Sequence, residues 1–129
     1  LDQGFARRIH AMKEAKISIE HLRDYLRGHV SSRVFYSQLI KVLRDYLADQ
    51  WNKSSPSLTS EVILSELMVR GIDLEYRTRV KSLFARSDLI CFASASQEAE
   101  HMKEDLIEVE NIITHFEKHL TLKTIAFFL

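Results

Sequence analysis

Seven residues recur along one stretch of this chain at spacings of 3, 4, 3, 4, 3 and 4: Ala99, Met102, Leu106, Val109, Ile113, Phe116 and Leu120. A helix turns once every 3.6 residues, so this spacing stacks all seven side chains on one face. At 1.5 Å per residue the helix runs about 40 Å. Just ahead of it, Ser94-Ala-Ser-Gln97 fits a capping box, in which the serine accepts from a free backbone N–H and the glutamine reaches back. Glu98, Glu100, Glu104 and Asp105 fall in the early turns, where the helix dipole favours anions, and Lys118 and His119 fall late, where it favours cations. Covering the stripe is worth on the order of 10 kcal/mol as an upper figure, at ~1.5–3 kcal/mol per large side chain. The rest of the chain must therefore offer other apolar helix faces of similar length.

It does. Phe5, Ile9, Met12, Ala15, Ile19, Leu22 and Leu26 mark the inner face of a first helix ending near Gly28, a residue suited to the left-handed stop. Ser31 or Ser32 can cap a second helix with Phe35, Leu39, Val42, Leu43, Tyr46 and Leu47 inward, ending near Trp51. Leu-Arg-Asp-Tyr-Leu occurs in both helices, at 22–26 and 43–47, which reads as two helices meeting one packing problem. Residues 52–58 hold the only proline and form a loop. Thr59 caps a short helix carrying Val62, Ile63, Leu67 and Met68, which Gly71 stops. Asp73 caps the next helix, with Tyr76, Val80, Leu83 and Phe84 inward. Residues 87–93 read either as a final helical turn or as a buried connector. The predicted fold is a single all-α domain over 1–129: about five helices, with long N-terminal and C-terminal helices bundled around a short helix-turn-helix pair. Three glycines and one proline are too few for the turns of an all-β chain.

Charge is balanced overall, 18 basic against 18 acidic residues, but unevenly placed. Residues 1–53 hold 10 Lys and Arg against 6 Asp and Glu, whereas residues 94–129 hold 3 against 7. The two ends are expected to attract each other within the bundle. The longest apolar runs, 89–93 and 125–129, fall far short of the ~20 residues of a spanning helix. The chain begins at Leu1 and stops on an apolar 121–129 tail, so a fragment of a larger membrane-anchored protein is expected.

Catalytic patterns are missing. No Gly-x-Ser-x-Gly elbow and no glycine-rich phosphate loop is present. Cys91 sits in the apolar run Leu-Ile-Cys-Phe-Ala, where a structural thiol is expected in place of a nucleophile. His115 and His119 have the spacing of a zinc pair, but Phe116 stands where a metalloprotease glutamate would follow, and no third ligand is evident. Glu98-x-x-His101 is half of a di-iron motif, with no second copy. These readings predict no catalytic residues, no metal and no cofactor. Residues 62–88 have helix-turn-helix spacing, and their second helix carries Arg77, Arg79, Lys81 and Arg86. An isoelectric point of ≈ 7.2 suits phosphate neutralisation poorly. This basic edge is expected to be a protein-binding surface, with a DNA-binding regulator as the alternative.

Three stretches resemble the cytoplasmic C-terminal portion of the BatD aerotolerance family. They are Phe35-Tyr36 with Leu39, Leu43, Tyr46 and Leu47; Leu58-Thr59 through Glu66-Leu67 to Arg70-Gly71-Ile72-Asp73; and Asp88 through Phe92-Ala93. The likeness covers roughly residues 30–120 and departs in the first helix and the apolar tail. It implies a helical domain on the cytoplasmic side of a bacterial inner membrane, held by a span outside this chain. It further implies association with a MoxR-type AAA+ ATPase and von Willebrand factor A-domain proteins in stress or oxygen tolerance. It carries no catalytic residues over.

Overall fold

A computed structural model describes residues 3–93 and 95–128, with side chains for residues 4–93 and 95–119. Five α-helices follow one another: α1 (Gln3–Tyr25), α2 (Ser32–Trp51), α3 (Ser60–Val69), α4 (Leu74–Phe92) and α5 (Ala99–Phe128). A single 3-10 turn (Ser55–Ser57) lies between α2 and α3, and no strand occurs among the described residues. The all-α bundle expected from the periodicities is the fold. No helix among the described residues is long and apolar enough to cross a membrane.

The helix ends follow the local chemistry. The side chains of Ser31, Thr59 and Asp73 accept from the backbone N–H groups of Val34, Val62 and Tyr76, each at 3.3 Å. Each thereby satisfies one of the free donors of a first turn. Asn52 ends α2 in the left-handed conformation at φ 51°, its N–H donating to the Ala48 carbonyl. Gly71 takes φ 81° at the turn between α3 and α4, where a side chain would be strained. Gly28 takes no such conformation: the end of α1 closes instead through Leu26, Arg27 and Gly28 N–H groups bonded back to Leu22, Asp24 and Tyr25. Residues 87–93 continue α4 to Phe92, which resolves the two readings of that stretch. The Ser94 cap falls outside the described residues. Gln97 precedes α5, and its backbone N–H and carbonyl both bond to the Ser32 hydroxyl at 3.1 Å. That clamp ties the chain just ahead of α5 to the start of α2.

At the centre stands α2. Eleven of its residues are buried, including Phe35, Tyr36, Leu39, Leu43, Tyr46, Leu47 and Trp51, and it packs against α1, α4 and α5. Arg33, Ser37, Gln38 and Lys41 stay exposed, so α2 is amphipathic, with an apolar face wide enough to meet three neighbours. Side-chain contacts fix the directions. Arg7 at the start of α1 donates to Asp49, Asn52 and the Lys53 carbonyl at the end of α2, so α1 and α2 are antiparallel. Tyr36 meets Asp105 and Tyr46 meets Glu117, so α2 and α5 are parallel.

The stripe on α5 is buried at Met102, Leu106, Val109, Ile113 and Phe116, together with Ile112, while Ala99 is exposed and the Leu120 side chain lies outside the described ones. The expected face of α1 holds at Ala15, Ile19 and Leu22, with Met12 and Leu26 partly buried against the core, and departs only at its start. Ala11, Ala15, Ile19 and Leu22 are buried, whereas Phe5 and Ile9 are exposed. The departure is confined to the first turns, where Ala11 is buried and the larger Phe5 and Ile9 are not. Val62 and Met68 on α3 are likewise exposed, leaving Ile63 and Leu67 as its inward pair.

Val109 has no exposure to solvent. Replacing it with aspartate puts an uncompensated charge in the core at a cost of roughly 3–5 kcal/mol. That is comparable with the whole stability of a small domain, so Val109→Asp is expected to abolish the cooperative thermal transition seen by circular dichroism. A Val109→Ala chain should keep the transition at a lower temperature.

Candidate interaction surface

The basic residues of α4 do not form one edge. Arg86 is forked onto Asp105 of α5, with Nε–Oδ2 at 3.2 Å and Nη2–Oδ1 at 2.6 Å. Asp105 is only 7% exposed and also accepts from the Tyr36 hydroxyl at 2.5 Å. Burial, and then the bond to Asp105, push the Tyr36 phenol well above its ordinary range, so it stays a donor. Bonding to Asp105 raises Arg86 against the opposing effect of burial. The three side chains tie α2, α4 and α5 at one point.

Arg79 is equally committed. Its Nε donates to Glu108 at 3.0 Å, Nη2 contacts the same oxygen, and the guanidinium lies 4.4 Å from the centre of the Tyr76 ring. The Tyr76 ring in turn stacks on His115 at 3.6 Å with 2° between the planes. Nε2 of His115 bonds Asp73 at 2.7 Å, and Nε2 of His119 bonds the Arg70 carbonyl at 3.3 Å. Along α5 the partners run 105, 108, 115, 119, while across the interface they run 86, 79, 73, 70. This opposed order is an antiparallel polar seam. The two histidines with zinc spacing belong to it, and the described residues include no cluster of three metal donors.

Among the described residues, α5 carboxylates pair with Arg79 and Arg86 of α4 and with Lys103 of α5 itself. The basic N-terminal half contributes one, through Arg23 bonded to Glu110.

Of the four basic residues singled out on α4, Lys81 is exposed, with no hydrogen bond or ion pair among the described residues. Arg77 is half-buried and donates from Nε to the Ile72 carbonyl at 3.0 Å. Both lie on the same helix as Leu74, which is exposed at the start of α4. Across the α3–α4 turn Met68 is exposed, and Val69 is 75% exposed. Sequence reasoning placed Met68 inward and passed over Val69 and Leu74. The signal available was the turn itself: Gly71 reverses the chain within three residues, so the apolar groups on either side cannot all reach the core.

A second apolar group surrounds the end of α4, where Phe92 is 82% exposed and Leu89 is also exposed. Continuing the inward pattern Tyr76, Val80, Leu83 and Phe84 leads to Ser87 and Ile90, which are buried, and leaves 89 and 92 outside. Cys91 is half-buried, its thiol 3.8 Å from the Arg33 carbonyl.

Two outcomes follow for the seam. Arg86→Met strands Asp105 in the interior and is expected to cost about 2 kcal/mol, below the fully buried case because the arginine is partly exposed. Adding Asp105→Leu should recover most of that loss, and urea unfolding of the three chains measures both. The second outcome concerns acid. Burial would raise the Asp73 carboxyl, but bonds from His115 and the Tyr76 N–H outweigh it and hold the group below its usual range. A carboxylate lowered in the folded state stabilises above its unfolded pKa and stops doing so as pH falls through the folded one. Asp73→Ala is therefore expected to lose ~0.5–2 kcal/mol at neutral pH, and the gap from the parent should close as the medium is taken below about pH 4.

Comparison with models of known protein families, with curated proteins and with solved structures finds no match to this chain.

Proposed function

We propose that this chain is a non-catalytic protein-interaction module that meets its partner at the α3–α4 turn and the adjoining face of α4. The observation that carries this reading is the apolar group Met68, Val69 and Leu74, exposed within seven residues of one turn and followed on α4 by Arg77 and Lys81. Scattered exposed apolar residues are ordinary, but a group beside cations suits a protein surface that presents apolar side chains and carboxylates.

The BatD resemblance supplies the context of the proposal: a helical domain on the cytoplasmic side of a bacterial inner membrane, acting with a MoxR-type AAA+ ATPase and von Willebrand factor A-domain proteins. The exposed Gly71 turn falls inside the Arg70-Gly71-Ile72-Asp73 segment that carries part of that resemblance. A DNA-binding role is the weaker reading. Arg79 and Arg86, two of the four cations a recognition helix would present to phosphate, are bonded to Glu108 and Asp105.

Binding of a purified MoxR-type ATPase to the parent and to a Leu74→Asp, Lys81→Glu double variant tests the proposal. The variant is expected to bind at least ~10-fold more weakly, a loss of about 1.4 kcal/mol. Its stability should stay within about 0.5 kcal/mol of the parent, because both positions are exposed. Equal binding by the two chains removes the proposed surface. Salt-sensitive binding to duplex DNA by the parent would favour the regulator instead.

A further inference from the structure

An open groove of about 450 Å³ runs between α2 and the C-terminal half of α4, away from the α3–α4 turn. Arg33, Ile40 and Arg44 line its α2 wall, and Asp88, Cys91 and Phe92 line the α4 wall. From Arg33 to Arg44 the α2 wall spans twelve residues, about 16 Å at the helical rise. Phe92 stands at the rim with most of its ring in solvent, and Val34 and Leu89 are exposed near it. Arg33 and Asp88 are exposed on opposite walls, and neither has an ion-pair partner among the described residues. Arg44 is partly engaged, its Nε donating to the Leu58 carbonyl at 3.0 Å.

We infer that this groove is the interface of a homodimer, in which a second copy docks across a two-fold axis with the Phe92 of each copy in the groove of the other. A two-fold contact needs both halves of every interaction on one patch, because residue i meets j while j meets i. This patch carries both halves. It has an apolar knob, Phe92, and a groove in which Ile40 and Val34 line the wall beside Ser37, Gln38 and Ser87. It has an unpaired cation and an unpaired anion on facing walls, so rotating a second copy onto it sets Asp88 against Arg33 twice. An acidic partner would meet Arg33 and Arg44 but be repelled by Asp88, and a basic partner would meet the reverse. A second copy of this chain satisfies both signs together. The patch is small beside the ~1,600 Å² of a standard interface, so the dimer is a micromolar or weaker one, loosened by salt.

Sedimentation equilibrium of the chain from about 5 to about 500 µM tests this. The expected result is a monomer–dimer equilibrium whose dissociation constant rises with ionic strength. Phe92→Ser should be monomeric throughout with an unchanged melting temperature, since the ring contributes little to the fold. Arg33→Glu and Asp88→Arg should each weaken association at least ~10-fold, and the double reversal should restore it. Glutamate in the first turn of α2 suits the helix dipole, so the reversal at 33 leaves folding intact. Leu74→Asp should leave the dimer unchanged, which separates this interface from the surface proposed for the partner protein. A monomer at every concentration overturns the inference. So does a dimer indifferent to Phe92 and to both reversals.

Discussion

Everything in this fold leans on the burial of α2. Its apolar surface extends too far around the axis for any single neighbour to cover, so α1, α4 and α5 must close over it from different sides. Two of its buried residues are tyrosines, and their hydroxyls need acceptors once water is excluded. Asp105 and Glu117 on α5 provide them, at 2.5 and 2.6 Å. Gln50 joins the second pair, its side-chain nitrogen 2.7 Å from the same Glu117 oxygen. A sliding or rotated α5 would leave these hydroxyls facing hydrocarbon. Apolar contact alone would tolerate several registers of α5, but polar satisfaction permits one.

The balance of charge has a structural explanation as well. Carboxylates of α5 are spent on arginines of α4 and α1, and Asp45, Asp49 and Glu66 have cationic partners of their own. Neutrality here reflects pairing within the molecule more than a featureless surface. Other charged side chains, among them Lys13, Glu14, Lys16 and Glu104, have no ion pair among the described residues and stand in solvent. Lys81, Arg33 and Asp88 each lie next to exposed apolar groups, where the bundle offers nothing to meet them.

Much of this was legible from residue spacing. Caps at Ser31, Thr59 and Asp73 follow from short polar side chains placed just ahead of apolar periodicities. The inward faces of α2, α4 and most of α5 follow from the periodicities themselves. The face of α1 was legible from Met12 onward, but its start was not, because the alanine at 11 carries little weight in a hydrophobic pattern beside Phe5 and Ile9. The inventory of charge was legible too, but its direction was not. Arg77, Arg79, Lys81 and Arg86 look alike in sequence, and only the position of α5 decides that two of them turn inward. The repeated Leu-Arg-Asp-Tyr-Leu makes the same point. Tyr46 is buried and donates to Glu117, whereas Tyr25, in the matching place, is half-exposed and accepts from the Ser31 N–H at 3.0 Å. Identical local sequences were given different neighbours.

The parallel alignment of α2 and α5 has a kinetic side. Antiparallel α1 and α2 are joined by a short turn and can find each other early. Tyr36 and Asp105 are 69 residues apart in sequence, and bringing them together means closing the loop through α3 and α4. The entropy of that closure must be met before its contacts form. Chain topology therefore favours an early hairpin of α1 and α2 and a later capture of α5. Until capture, the tyrosine-bearing side of α2 remains open to water, and newly made chains stay vulnerable there to proteases and to wrong partners.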